Sequence, residues 1–222
     1  MSFSTGLVDS FYDQHIKKFW QKATDQASLQ ILLVGTASTL AARPHDDAIY
    51  SSWNNDQKMS SAAADFGDHL GSGIPGLFIV GVQYWFDDNS NHAVSHARSL
   101  AWGTLSVQTL KYAFKRNRPG GSEDRSSFPS GHTTTSFATA TSLTYAYGWK
   151  AALIAYPMAA FVASSRLAKG THWFSDVVAG AFLGYWVGRA GFYKGQAPDQ
   201  QKLVLFPDLG PEEIALNLTY SF

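Results

Sequence analysis

The chain of 222 residues is long enough for a single domain with a sizeable hydrophobic core. Its 17 basic residues balance its 17 acidic residues, so the charge pattern gives no sign of a nucleic-acid partner. The absence of cysteine excludes disulfide bonds and metal sites built from thiolates.

Three stretches without Asp, Glu, Lys or Arg interrupt a chain that is already poor in charge. Charged residues make up 15% of the sequence, against about 25% in a typical soluble domain. The uncharged stretches cover residues 70–86, 133–149 and 151–165, and none reaches the roughly 20 apolar residues that span a bilayer. We therefore predict buried core helices of a soluble or peripheral protein rather than a multi-pass membrane protein.

The first half of the chain contains helical patterns separated by polar segments. Leu7 to Lys22 has aromatic and aliphatic residues at helical spacing and lysines on the other side. This pattern predicts a helix that packs on the domain, with a position at a lipid surface as the alternative. Further helices are predicted over Ser28–Ala42 and Ala62–Leu70, with a loop over residues 43–60 and an apolar run over Leu77–Phe86.

The second half of the chain predicts longer helices. They cover residues 92–117, 131–147, 150–168 and 172–192. Pro119 ends the first of them, and Gly148 and Gly170 separate the others. The predicted fold class is therefore all-α, a single-domain helical bundle over residues 1–195 whose chemistry-bearing motifs lie within residues 95–190.

The last residues have a different pattern. From Ile214 to Phe222 apolar residues alternate with more polar ones, which is the period of a β-strand. Together with Leu203–Phe206, on the other side of a segment rich in proline and glycine, this predicts a short C-terminal β-hairpin in the tail 196–222.

The first candidate functional motif is a set of cations at the end of the helix predicted over residues 92–117. Lys111 and Arg118 are seven residues apart, which returns to nearly the same face of a helix after about two turns. An arginine fork matches two phosphate oxygens, and a lysine adds a point charge. Alone, such a set is usually a solvated basic face, and Lys115 and Arg116 between them would contact a phosphate head group or solvent.

The second and third motifs add two histidines. Ser130-Gly131-His132 lies where a loop turns into a helix, so Ser130 can cap the helix and the N–H groups of its first turn can bind an anion. Arg166 ends the next helix, and Thr171 is a candidate cap that places His172 at the start of the helix after it. Asp176, four residues later, can accept the proton of one ring nitrogen of His172 and leave the other nitrogen free for attack.

Together the three motifs resemble the signatures of the phosphatidic-acid phosphatase type 2 (PAP2) superfamily, which also includes bacterial non-specific acid phosphatases and vanadium haloperoxidases. Those signatures are Lys, six residues, Arg-Pro; then Pro-Ser-Gly-His; then Ser-Arg, five residues, His, three residues, Asp. The sequence matches them without a substitution at Lys111–Pro119, Pro129–His132 and Ser165–Asp176. The resemblance implies a helical bundle of the PAP2 type.

The resemblance also implies a metal-independent phosphatase without a cofactor. His172 is expected to attack phosphorus and form a phosphohistidine, with Asp176 orienting its ring. His132 is expected to protonate the leaving alcohol and then to activate water. The phosphate oxygens are expected to be held by the remaining motif residues, which are Lys111, Arg118, Ser130, Gly131 and Arg166.

The expected substrate is a phosphomonoester or pyrophosphate of a lipid, such as phosphatidic acid, a prenyl pyrophosphate or lipid A, met at a membrane surface outside the cytoplasm. One alternative is a soluble acid phosphatase of broad specificity. Another is a non-catalytic module that binds phosphorylated lipids, although a binder has no use for the pair His172 and Asp176. The chain is too short for the extra helices of a haloperoxidase.

A second pair of histidines lies outside these motifs. His92 and His96 are four residues apart and close to Asp87 and Asp88, which is a possible spacing for metal ligands on a helix. Because the sequence supplies no third ligand, we interpret the pair as a surface face and predict no metal site.

Overall fold

The computed structural model describes residues 12–193, with residues 14 and 15 and two C-terminal strands described by their backbone alone. A π-helical turn, Tyr12–Lys17, leads into a series of α-helices in the described part of the chain. In chain order they are α1 Lys18–Ala23, α2 Gln26–Ala42, α3 Asp46–Asn55, α4 Ser61–Gly71, α5 Ile74–Phe86, α6 Asn91–Phe114, α7 Gly131–Tyr147, α8 Trp149–Ala168 and α9 Phe174–Gly191. A 3₁₀ turn, Arg43–His45, joins α2 to α3. The all-α prediction is confirmed for this region.

Helix α9 is the central element of the bundle. It packs against α7, α2 and α6, while α8 packs against α7 and α4 packs against α8. The buried apolar cluster around α9 draws residues from several helices: Phe19, Ala23, Ile31, Leu100, Val107, Ala138, Leu183, Trp186, Val187 and Ala190. Burial of this cluster is the main favourable contribution to the fold.

Three glycines on one face of α9 allow it to approach α7 closely. A Cβ atom on Gly184 would lie 2.4 Å from the carbonyl oxygen of Thr134, and one on Gly180 would lie 2.7 Å from that of Ser130. Gly188 completes the row against Thr141, where a Cβ would lie 2.5 Å from the threonine Cβ. Because the neighbouring atoms include backbone, a larger side chain here would push the two helices apart. The row therefore holds α7 and α9 close together from the start of α7 to Thr141.

The helix predicted at the start of the chain packs on the domain where it is described. Phe19 is fully buried and stacks on Trp102 with ring centroids 4.6 Å apart. It also meets Trp186 edge to face at 6.0 Å. Residues 7–11 of that predicted helix lie outside the described residues.

The loop predicted over residues 43–60 is wrong, because most of it forms the 3₁₀ turn and α3. Asp46 and Asp47 occupy the first turn of α3, where acidic side chains interact favourably with the helix dipole. Asp46 is also buried against residues of the candidate site, a long-range contact that local composition does not reveal.

The prediction that the uncharged stretches are buried core is wrong for α5. Its buried residues are Gly76 and Gln83, whereas Ile74, Phe78 and Trp85 are 71–79% exposed. The helix therefore turns its small and polar residues inward and its apolar residues outward, which is the reverse of a core helix in a soluble protein.

Strands β1, Lys202–Leu209, and β2, Ile214–Ser221, pair in antiparallel register, with Lys202 opposite Ser221 and Leu209 opposite Ile214. The connecting residues 210–213 and the side chains of the tail lie outside the described residues. The hairpin as an appendage of the domain, and the boundary placed at residue 195, therefore stay predictions.

Candidate functional site

The three motifs converge at one end of the bundle. The backbone N–H of Ser130, before α7, donates to the carbonyl of Asp176 in α9 at 3.0 Å. The guanidinium of Arg118 donates to the carbonyl of Thr171, between α8 and α9, at 3.2 Å. These contacts join segments that lie up to 53 residues apart in sequence. The fold therefore brings the three motifs together in one site.

The start of α7 is built as the sequence predicts. Ser130 is the N-cap, and its buried hydroxyl accepts from the backbone N–H and the hydroxyl of Thr133. Gly131 is the first residue of the helix and His132 the second. The free N–H groups of this first turn and the positive end of the helix dipole face the site.

His172 does not start the following helix as predicted. Trp173 is the N-cap of α9, so His172 lies in the connector before it and is 3% exposed. Its Nδ1 is 3.7 Å from Oδ2 of Asp176, which is too long for a hydrogen bond. Among the described residues no other group hydrogen-bonds to that nitrogen. Burial lowers the pKa of His172, because the charged ring loses its hydration.

Asp176 is fully buried and held by three donors. Its Oδ2 accepts from the hydroxyl of Ser127 at 2.5 Å and from the N–H of Trp173 at 3.0 Å. Its Oδ1 accepts from Arg116 at 2.6 Å. The carboxylate is therefore fixed in place, with Oδ2 3.7 Å from Nδ1 of His172.

Arg116 is an internal clamp and not the head-group or solvent contact that the sequence suggested. One guanidinium nitrogen binds Asp176, and the other binds Asp46 of α3 at 2.7 Å. Asp46 also accepts from the backbone N–H and the hydroxyl of Ser175 at 2.8 and 2.7 Å. This network ties α3 to the first turn of α9. The sequence alone did not predict this network, because its only local feature is an arginine between Lys111 and Arg118 of the first motif.

Lys111 and Arg118 supply positive charge on the other side of the site. Arg118 is held by the carbonyl of Thr171, by the hydroxyl of Ser126 at 3.2 Å and by Asp124 at 2.8 Å. Lys111, in the last turn of α6, forms no ion pair within the described part of the chain and interacts at longer range with Arg118 and Asp176. Of the three cations in the motifs, Lys111 has the fewest contacts with other described residues.

Arg166 and His132 share a carboxylate that the motifs do not contain. Asp68 of α4 lies 3.0 Å from Nε2 of His132, and its same oxygen accepts from Arg166. Its other oxygen accepts from Lys169 at 2.7 Å. Partial burial alone would raise the pKa of Asp68, but the hydrogen bond from Lys169 and the charge of Arg166 outweigh it and lower the pKa to about 2. Sequence reasoning missed Asp68, since it lies 64 residues before His132 in the chain.

The second pair of histidines is not the surface face that the sequence suggested. His96 is fully buried and contacts Gln83 and Thr139 at 2.9 and 3.0 Å. His92 pairs instead with Asp87 at 2.7 Å. Within residues 12–193 no group of three or more His, Cys, Asp or Glu side chains is placed to hold a metal ion.

Comparison with known proteins identifies the family. The sequence model of the PAP2 superfamily matches residues 92–198, which contain all three motifs. This region belongs to the PAP2 superfamily. This match confirms the resemblance to the PAP2 superfamily that the three motifs predicted.

Relatives of the PAP2 region include proteins of known sequence and structure. A lipid A 1-phosphatase of Porphyromonas gingivalis is 40% identical over 103 residues, which cover 45% of this chain but only 23% of that protein. The fold is similar to Aquifex aeolicus LpxE, with a TM-score of 0.58 at 25% identity over 66% of this chain and 93% of that one. A transmembrane PAP2 type phosphatidylglycerolphosphate phosphatase of Bacillus subtilis gives 0.58 at 18% identity over 74% and 93%, a likeness of fold alone.

Replacing the Arg116 clamp tests whether it supports the PAP2 site. Arg116→Ala leaves the buried carboxylates of Asp46 and Asp176 without their shared cation, so we expect a loss of about 2–3 kcal/mol in stability and a thermal midpoint lower by roughly 5 °C or more. The matched control is Arg125→Ala on the same loop, where the exposed arginine contacts only the carbonyl of Lys115. Equal midpoints for the two variants in thermal melts would contradict the clamp.

Proposed function

We propose that this chain is a metal-independent phosphatase that removes a phosphate group from a lipid through a phosphohistidine on His172. The observation that carries the proposal is the site itself: the buried imidazole of His172 lies at the same end of the bundle as Lys111, Arg118 and Arg166, and its Nδ1 has no hydrogen-bond partner among the described residues. Burial lowers the pKa of this ring, which favours its neutral form. A neutral imidazole is a nucleophile, and the cations neutralise the charge of a phosphate under attack.

The proposed reaction has two steps. A ring nitrogen of His172 forms a bond to phosphorus while the bond to the leaving oxygen breaks, and His132 gives its proton to that oxygen. Water then attacks the phosphohistidine, His132 takes a proton from the water, and phosphate leaves. In both steps the three cations, Ser130 and the N–H of Gly131 hold the non-bridging oxygens.

A lipid substrate is supported by the outward apolar faces of α2, α5 and α8, the apolar belt. Exposed members include Leu33 at 66%, Phe78 at 71% and Ile154 at 71%. Helices α2 and α5 contain no charged residue. Soluble proteins rarely expose so much apolar surface unless it contacts another apolar phase.

Helix α8 supports contact with a bilayer independently. Among the described residues it is the one helix that length and composition allow to cross a membrane, and its 20 residues extend about 30 Å. The cationic site lies at the ends of α6, α7, α8 and α9, so helices embedded in a bilayer would present it at the level of the head groups. We therefore propose a protein with helices embedded in a bilayer, in place of the soluble or peripheral protein that the sequence favoured. The location outside the cytoplasm stays a prediction.

The name of the Porphyromonas gingivalis relative narrows the substrate class. It describes a phosphatase of lipid A, which is a phosphorylated lipid. Because the shared segment is a minor part of the curated relative, we extend only the class, a lipid phosphomonoester or pyrophosphate, to this chain.

The nucleophile is tested by replacing His172. We expect wild-type protein to hydrolyse p-nitrophenyl phosphate and phosphatidic acid in EDTA, and vanadate to inhibit it. His172→Ala should lower kcat by at least about 1,000-fold. His69→Ala, an exposed histidine of α4, should leave kcat unchanged.

Two results would contradict this proposal. Undiminished turnover by His172→Ala would remove the phosphohistidine. A soluble ester hydrolysed orders of magnitude faster than phosphatidic acid, a prenyl pyrophosphate or lipid A would favour the soluble acid phosphatase instead.

The apolar belt is tested by spin labelling, which the absence of native cysteine makes simple. A label on Phe78→Cys in liposomes should collide more with oxygen than with a water-soluble nickel chelate, because the side chain faces hydrocarbon. A label on Asn55→Cys, exposed at the end of α3, should show the opposite preference. Equal access of the nickel chelate to both labels would contradict contact of α5 with the bilayer.

A further inference from the structure

Helix α4 lies unusually close to the candidate site. A Cβ on Gly67 would lie 2.5 Å from that of Ser165, and one on Gly71 would lie 2.6 Å from Val162 and 2.8 Å from the Cβ of His132. Only glycine permits this approach at these two positions, which are one helical turn apart. Asp68, next to Gly67, is thereby held against the site by backbone packing as well as by its charge.

The carboxylate of Asp68 contacts two motif residues through one oxygen. That oxygen lies 3.0 Å from Nε2 of His132 and accepts from a terminal nitrogen of Arg166. Lys169 binds the other oxygen at 2.7 Å. Asp68 lies outside residues 92–198, the region that the PAP2 sequence model matches.

The contacts of Asp68 leave specific atoms for a substrate. Arg166 uses one terminal nitrogen on Asp68 and the other on the hydroxyl of Thr171 at 2.8 Å, while its buried Nε has no hydrogen-bond partner. His132 has Nε2 beside Asp68, and no described residue pairs with its Nδ1. Each side chain is thus anchored on one edge and free on the other, as expected of groups that are positioned before a ligand binds.

We propose that Asp68 is a positioning residue that acts through His132 and Arg166. Its negative charge stabilises a proton on Nε2 of His132, so that Nδ1 faces the substrate and exchanges the proton of the reaction. Burial and the charge of Arg166 lower the pKa of His132 to about 4, against the opposing charge of Asp68, so the proton on Nδ1 comes from a substrate phosphate that binds with one proton. In the first step the imidazolium so formed gives this Nδ1 proton to the leaving oxygen and keeps the Nε2 proton beside Asp68. In the second step Nδ1 takes a proton from the attacking water. The same carboxylate holds Arg166 so that its Nε is available for a phosphate oxygen.

This inference rests on the proposed function, but it makes its own prediction about leaving groups. A proton donor matters most when the leaving oxygen is strongly basic, as in an alkyl phosphate, and least for p-nitrophenolate. Loss of the Asp68 charge should therefore slow the two reactions unequally. A merely structural role of Asp68 would slow both alike.

The experiment compares Asp68→Asn with Asp65→Asn, a matched control one turn earlier on α4 that also binds Lys169, at 2.9 Å, but contacts neither His132 nor Arg166. For Asp68→Asn we expect kcat/KM, which reports the step in which the leaving group departs, to fall about 10- to 100-fold on a short-chain phosphatidic acid and less than about 3-fold on p-nitrophenyl phosphate. Asp68→Glu should recover part of the loss. Asp65→Asn should stay within about 2-fold of wild type on both substrates.

Several outcomes would overturn the proposal. Equal losses on the two substrates, or none, would remove the positioning role. A lower KM with unchanged or higher kcat would mean that Asp68 competes with the substrate phosphate for Arg166. Failure of the proposed function is distinguishable, since it appears as full activity in His172→Ala or as an inactive wild type.

Nitrogen NMR of wild-type protein tests the same claim without a variant of Asp68. With ¹⁵N-labelled histidine, and His132→Gln to assign the signal, the neutral ring of His132 should carry its proton on Nε2. A proton on Nδ1 would contradict the proposed orientation.

Discussion

The close packing of α7 on α9 is the constraint on which the site depends. Gly180, Gly184 and Gly188 bring the two helix axes together, and the N–H of Ser130 bonds to the carbonyl of Asp176 where the helices begin. Because of this contact, the positive end of α7 lies beside the connector that carries His172. Neither helix alone contains the complete candidate site, which forms where the N-termini of α7 and α9 meet.

Charge at this site is arranged in two groups with different tasks. Asp46, Asp176 and Arg116 form a buried network that fixes the first turn of α9. Lys111 forms no ion pair within the described part of the chain, Arg118 pairs with Asp124, and Arg166 is held on one edge by Asp68. Buried ion pairs cost desolvation energy, and here they hold the candidate catalytic groups in place, as the preorganised electrostatic stabilisation of the proposed mechanism requires.

Much of the site could be predicted from the sequence, because its spacings are local. The cap of α7 and the order of the motifs follow from turn chemistry and resemblance. The position of His172 before α9 could not be predicted, since Trp173 rather than Thr171 caps the helix. Asp68 and Asp46 depend on contacts across more than 60 residues, and local patterns carry no information on these. The apolar residues of α5 marked a helix, but composition alone did not reveal that they face outward.

The central claim is that phosphoryl transfer passes through His172, and direct capture of the intermediate tests it. Wild-type protein mixed with a ³²P-labelled lipid phosphate and quenched in alkali should retain label on one histidine, because phosphohistidine survives base and is lost in acid. The label should be absent from His172→Ala. Label that survives acid, or that persists in His172→Ala, would contradict the mechanism.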